Sequence, residues 1–329
     1  MRNTREIKQA ANEALARASY SPGKLILLYA GISAGVLLLF TLFTFFLQTQ
    51  ISQTGGLGGI GLRSVLSTID TVLTVCVNFV LPILTMGYLS AALCMVRGNP
   101  FSGSTLLDGF RHIGASIRFM ILKTALFFLP AIACFYPATM IFLLTPLSAP
   151  LEQALLPILS ETADMEALLN DPAVIAAVEA CAIPAVLIFL ALYLLVSIPL
   201  FYRARLADLA LMENPKAGAF AALRKSFALT RHNCKRLIKL DLGYWWYYLL
   251  SGVVAGIVYA DALLPLFGIS LPMDAKTTVL VFYVLYLVAE FALRAWMLNR
   301  VQVSYILLYD DLIPWRPVHR FSGHTPWEV

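Results

Sequence analysis

The chain reads as an all-α polytopic membrane protein, a bundle of six transmembrane helices with amphipathic helices on the cytoplasmic side. Three observations predict this. Hydrophobic residues make up 60% of the chain and charged residues 13%, against about 45–50% and about 25% in soluble domains. Six apolar stretches reach the required length, because a helix rising about 1.5 Å per residue needs about 20 residues to cross a core roughly 30 Å thick. Of 24 Lys and Arg residues, 22 fall on one side of those stretches, with only Arg63 and Lys276 opposite. Cytoplasmic loops hold Lys and Arg while translocated loops lack them, so both termini are expected inside.

The predicted spans are residues 25–48, 70–96, 118–145, 177–202, 237–260 and 277–300, within a single membrane domain, and residues 301–329 follow as a cytoplasmic tail. The first span follows a long polar lead and outlasts a signal-peptide core, so it is expected to be retained. Net charge is +5. The cations sit beside spans, which makes anionic lipid headgroups, not nucleic acid, the expected counter-charge.

Three cytoplasmic segments have helical periodicity. Over residues 4–20, Asn3 and Glu6 have capping-box spacing, and Ile7, Ala11, Ala14 and Ala18 share a face until Ser21-Pro22-Gly23. Over 104–115, Leu106, Leu107, Phe110 and Ile113 alternate with polar residues. Over 215–234, Asn214-Pro215 opens a helix whose stripe is Phe220, Leu223, Phe227, Thr230, Cys234 and Leu237, with Arg and Lys around the remainder. Such a basic amphipathic helix lies in the headgroup plane or packs against the span ends. On the outer side, residues 146–176 carry Glu152, Glu161, Asp164, Glu166 and Asp171 without Lys or Arg, a solvated acidic cap, and Asp171-Pro172 reads as a helix start.

Motifs for chemistry are sparse. Gly56-Leu57-Gly58-Gly59-Ile60-Gly61 satisfies G-x-G-x-x-G, but a dinucleotide site needs a strand before it and a βαβ unit around it, so this is a turn. The five cysteines, Cys76, Cys94, Cys134, Cys181 and Cys234, form no C-x-x-C pair, and the four histidines have no ligand spacing. No metal, cofactor or catalytic residue is expected. Glu290 and Arg294 lie inside the last span at i and i+4, as a structural pair or as an ion-coupling carboxylate. Asp70, Asp241 and Asp261 fall at span ends, where water is expected to reach them. Gly31 to Gly35 and Gly252 to Gly256 are G-x-x-x-G matches suited to close helix packing, and Pro82, Pro130, Pro137 and Pro184 predict kinks. Tyr244, Trp245, Trp246, Tyr247 and Tyr248 read as an aromatic belt.

Residue patterns along nearly the whole chain resemble the domain-of-unknown-function nine-seven-five family of bacterial integral membrane proteins. Arg5-Glu6-Ile7-Lys8 through Ala11 and Leu15 match at the start; Ile198-Pro199, Glu213-Asn214-Pro215, Ser226, Leu229, Leu237 and Leu240-Asp241-Leu242 match in the middle. Asn299-Arg300-Val301 and Tyr309-Asp310 match at the end, while Leu200 and His232 stand where the family tends to have Gly. The resemblance implies a six-helix protein of the bacterial cell membrane and no established activity.

Two functions are open. One is a non-enzymatic membrane protein that engages anionic lipid or a membrane partner through Arg224, Lys225, Arg231, Lys235, Arg236 and Lys239. The other is a permease-like transporter of a small solute or ion, using Glu290 and the proline-kinked helices.

Overall fold

The computed structural model describes residues 2–53, 59–159, 172–260 and 275–313. Among them the secondary structure is helical, without strands. Five helical stretches are long and apolar enough to cross a membrane: Pro22–Gln50, Arg63–Val96, Ile113–Leu143, Pro172–Glu213 and Thr277–Leu312. The chain is a multi-pass membrane protein. It divides into two compact units, one of Met1–Met120 with Leu206–Val329 and one of Ile121–Arg205.

The first unit opens with α1, Thr4–Arg17, whose capping box forms as expected, Asn3 and Glu6 each accepting a backbone N–H. Ile7 and Ala11 are its buried face. Helix α2 starts at Pro22, where a missing N–H costs nothing, and runs to Gln53. Antiparallel α3, Gly59–Val96, packs along it. Tyr29 and Thr85 hydroxyls meet at 2.9 Å between these helices, and the Tyr29 ring stacks on Tyr88 at 4.8 Å.

Close backbone approach occurs at a place the G-x-x-x-G matches do not mark. A Cβ on Gly87 of α3 would lie 1.9 Å from the Leu106 carbonyl oxygen, and one on Gly109 would lie 2.1 Å from the Ile83 carbonyl oxygen. Segment 103–111 therefore presses on α3 backbone to backbone. It forms a 3-10 turn, Gly103–Leu107, and one helical turn, α4, Asp108–Arg111. The expected amphipathic helix over 104–115 is thus corrected: Leu106 is buried, but Leu107 and Ile113 point outward, and Asp108 and Gly109 are buried in their place. Burial raises the Asp108 carboxyl above its ordinary range, against the lowering influence of Arg111 and His112. At Gly31, Gly35, Gly252 and Gly256 an added Cβ would meet nothing within 4 Å. These four glycines mediate no close packing among the described residues.

Span five is also corrected. Residues 237–260 do not form one helix: α10, Cys234–Gly243, ends at Tyr244, and α11, Trp245–Gly256, begins afresh and closes in a 3-10 turn, Ile257–Tyr259. The apolar helical stretch described there, Trp245–Tyr259, has 15 residues, against the about 20 of a full crossing; Asp261 and the residues up to 274 lie outside the described residues. The break exposes the Gly243 carbonyl, and Lys8 of α1 donates to it while standing 4.3 Å over the Tyr244 ring. Burial in that seat lowers the Lys8 ammonium.

The last long stretch is α12, Ala275–Leu293, a π-turn at Arg294–Leu298, and α13, Asn299–Leu312. Residues 301–312 are not tail. Val301, Val303, Tyr305, Ile306, Leu308 and Tyr309 of α13 are buried, with α1 and α3 packed against it. The His319 and His324 positions lie outside the described residues.

The second unit holds most of α5, Ile113–Leu143, then α6, Ala149–Leu159, and α7, Pro172–Ala204. Pro130 and Pro137 stay within α5, and Pro184 and Pro199 within α7, without ending either helix. Helix α6 packs on α7, and Cys181 lies 3.5 Å from the Leu147 carbonyl. Of the acidic cap, only Glu152 among the residues named above is described, and it accepts from the Ser148 hydroxyl at 2.7 Å. Asp171, like Gly56 and Gly58 of the glycine-rich match, lies outside the described residues.

Candidate functional site

The basic residues converge on two helices of the first unit. Helix α8, Ala207–Glu213, is buried at Ala207, Leu209, Ala210, Leu211 and Met212. Asn214-Pro215 then starts a 3-10 turn, Pro215–Ala217, and Gly218 at φ +84° redirects the chain into α9, Gly218–Thr230. A side chain at that φ would be strained. The long helix expected over 215–234 is therefore shorter at both ends, since a turn at 231–233 separates α9 from α10.

The buried face of α9 is not the expected stripe. Ala219, Ala222, Ser226 and Thr230 face inward, and small side chains let α9 lie close on α8. Thr230 satisfies its hydroxyl on the Ser226 carbonyl at 2.8 Å. Phe220 consequently points outward, 76% exposed, while Leu223 and Phe227 are half-buried at the flank. Arg224, Arg231, Lys235 and Lys239 are exposed beside it, as are Ile238, Leu242 and Trp245. Large apolar groups and cations thus lie side by side among the exposed residues of α9, α10 and the start of α11.

Lys225 and Arg236 have other duties. The Glu213 carboxylate accepts from Lys225 and from the Tyr309 hydroxyl (2.6 Å), and pairs with Arg97 at 3.0 Å. Arg97 also reaches Asp310 at 2.8 Å. Glu213 lies past Arg203 and Arg205, which close the apolar run of α7. Burial alone would raise its carboxyl; the hydrogen bonds from Lys225 and Tyr309 and the charges of Arg97 and Lys225 outweigh that and hold it at about 2. A cavity of about 30 Å³ borders Arg97, Glu213, Ser90 and Cys94, the volume of about one water. Arg236 pairs with Asp311 at 3.7 Å and donates to the Arg2 carbonyl at 3.0 Å, while Arg2 pairs with the same Asp311 at 3.6 Å. These two cations tie α8, α9, α10, α13 and the N-terminus together.

Comparison with family models, with curated proteins and with solved structures finds no match. Glu213, Tyr309 and Asp310 belong to the Arg97 network, and Lys8 caps Gly243 beside Leu240-Asp241-Leu242.

The Glu290–Arg294 pair forms, with Arg294 Nε 2.7 Å from Glu290 Oε1, immediately before the π-turn. Asn299, just after that turn, accepts from the Tyr88 hydroxyl at 2.5 Å and donates to the Pro22 carbonyl at 2.8 Å. The pair is closed and lies where the first, second and last long helices meet. The aromatic block divides its work. Tyr244 bonds Ser304 at 2.8 Å, and Tyr248 and Tyr305 both donate to Asp241, so that carboxylate is held by protein at the span end. Trp246 leans on Trp296 at 5.2 Å. Trp245 is 61% exposed. Asp70 is half-exposed, with its Oδ1 buried and without a hydrogen-bond partner among the described residues.

The residues to which the sequence reading gave no site role are Arg97, Glu213, Tyr309, Asp310 and Asp311. Their one sequence signal was an acid at each end of apolar helices on a basic side, a minority charge among many cations.

Proposed function

We propose that the chain is a non-enzymatic, six-span protein of a bacterial cell membrane, its fifth crossing starting at α11 and not at residue 237, with both termini cytoplasmic, that engages anionic lipid headgroups through its basic end. A membrane-protein partner with an acidic surface would use the same cations. One observation carries the reading: α9 turns its small residues inward and leaves Phe220 exposed beside Arg224. With α10 it presents Arg224, Arg231, Lys235 and Lys239 alongside Ile238, Leu242 and Trp245. Apolar groups that reach the acyl boundary, flanked by cations at headgroup level, are how an interfacial helix holds a bilayer. Lys225 and Arg236 drop out of the lipid contact because they are spent on Glu213 and Asp311.

The test replaces Arg224, Arg231, Lys235 and Lys239 together with Gln in the full chain. In nanodiscs of mixed phosphatidylglycerol and phosphatidylcholine, the natural protein gathers phosphatidylglycerol. Each cation contributes about 1 kcal/mol, so the enrichment should fall at least tenfold in the variant and weaken with salt. Equal enrichment in both proteins would end this reading.

A further inference from the structure

The Arg97 end of α3 borders a niche apart from the exposed residues of α9 and α10. Ser90, Leu93, Cys94 and Arg97 stand at i, i+3, i+4 and i+7, so they share one face of that helix. Beyond Val96 the chain turns back. Gly98 takes φ +71°, its N–H bonds the Met95 carbonyl at 3.3 Å, and the Asn99 N–H bonds the Cys94 carbonyl at 2.9 Å. This pattern is a Schellman cap, and it returns Asn99 to the niche. Met212 and Glu213, at the end of α8, complete the lining.

The buried wall contains an unpaired hydroxyl. Ser90 is 2% exposed, and its Oγ makes no hydrogen bond among the described residues. Hydroxyls inside a helix often return to the carbonyl one turn back, as those of Thr74 and Thr85 in α3 do at 2.9 Å. Ser90 does not. The Asp108 carboxyl is near enough to feel its dipole, but not in hydrogen-bonding geometry. A buried hydroxyl without a partner is costly, and a bound water is a common remedy.

Size and charge select the occupant. About 30 Å³ admits one water and no organic ligand, which needs about 300 Å³ or more. Arg97 and Glu213, paired at 3.0 Å, offset one another, so neither a cation nor an anion gains by entering. A buried water needs about two to four polar partners, and Ser90, Asn99, Arg97 and Glu213 all border the space.

We propose that this niche binds one structural water, which donates to the Glu213 carboxylate, hydrogen-bonds the Ser90 hydroxyl and so joins α3 to α8. Such a water holds the two helices together whether or not α9 and α10 engage lipid.

The experiment is hydroxyl-radical footprinting by X-ray radiolysis of the full chain in detergent, read by mass spectrometry. A water held in the niche is ionised in place and oxidises the sulphur beside it. Met212 borders the niche and is 2% exposed, while Met86 and Met297 are also buried and do not border it. Met212 should therefore be oxidised severalfold faster than Met86 and Met297. Ser90→Ala, which removes one partner, should lower that excess, and Ser90→Val, whose methyl groups fill the niche, should abolish it. Unchanged rates at Met86 and Met297 show that the fold is kept; should Ser90→Val raise all three, Ser90→Ala decides. The proposal is overturned if Met212 reacts no faster than the two control methionines, or if its excess survives the substitutions undiminished. A structure that resolves solvent should also show one oxygen within about 3.2 Å of Ser90 Oγ. Ser90 bonded directly to Asp108, with no such oxygen, would overturn it too.

Discussion

Glu213 gathers Lys225, Tyr309 and Arg97 around one carboxylate, and its charge state has a consequence for stability. Its carboxyl sits at about 2 in the fold against an ordinary 4.5. A depressed carboxyl stabilises the folded chain above the ordinary value, and that contribution is lost as pH falls from about 4.5 to about 2. Glu213→Gln should therefore be less stable than the natural protein at pH 7, by roughly 1–3 kcal/mol. The gap should shrink as the pH approaches 2. Thermal unfolding in detergent across this range checks it, and a gap equal at pH 7 and pH 3 would show that no ionised carboxylate is held there. Tyr309→Phe should cost about 1 kcal/mol at pH 7, since it removes one of the three partners. The pattern along the chain did not reveal this grouping, because Arg97 and Tyr309 lie far along the chain from Glu213 and Lys225 and none belongs to a motif for chemistry.

At the scale of the element, side-chain size decided which faces pack. The periodicity of apolar residues on α9 was legible, but it placed Phe220 inward by treating large and small residues alike. The residues that α9 buries are Ala219, Ala222, Ser226 and Thr230, small side chains that suit its close packing on α8. The same misreading affected glycine. Gly87→Ala or Gly109→Ala should destabilise the protein by about 2 kcal/mol or more, because the new Cβ would sit about 2 Å from a carbonyl oxygen and force α3 and α4 apart. Gly31→Ala and Gly252→Ala should be neutral or stabilising by up to about 1 kcal/mol, since nothing stands near them and alanine favours the helix. Melting temperatures of the four variants in one detergent distinguish the two sets. Comparable losses in all four would mean that the G-x-x-x-G matches pack after all. The capping box of α1 and the start of α2 at Pro22 were legible because caps depend on neighbouring residues only.

For the whole molecule, the distribution of basic residues predicts topology. With 22 of 24 Lys and Arg on one side of the spans, a tag at either end should react with a membrane-impermeant reagent only after cells are opened. Labelling of either tag in intact cells would reverse that assignment, and with it the side on which α9 and α10 are proposed to meet lipid.

The sequence alone determined the class, the helical content and five of the long apolar stretches, because burial in hydrocarbon acts on composition over about 20 consecutive residues and leaves its mark on every one. It also marked where charge gathers. Only the tertiary structure decided that the chain breaks at Tyr244, that residues 301–312 are core, that Lys225 and Arg236 are bound internally, and which faces of α9 and α4 are inward. Each of those depends on what a distant segment brings to within a few ångströms, and a pattern read along one helix contains no record of its neighbour's size or charge.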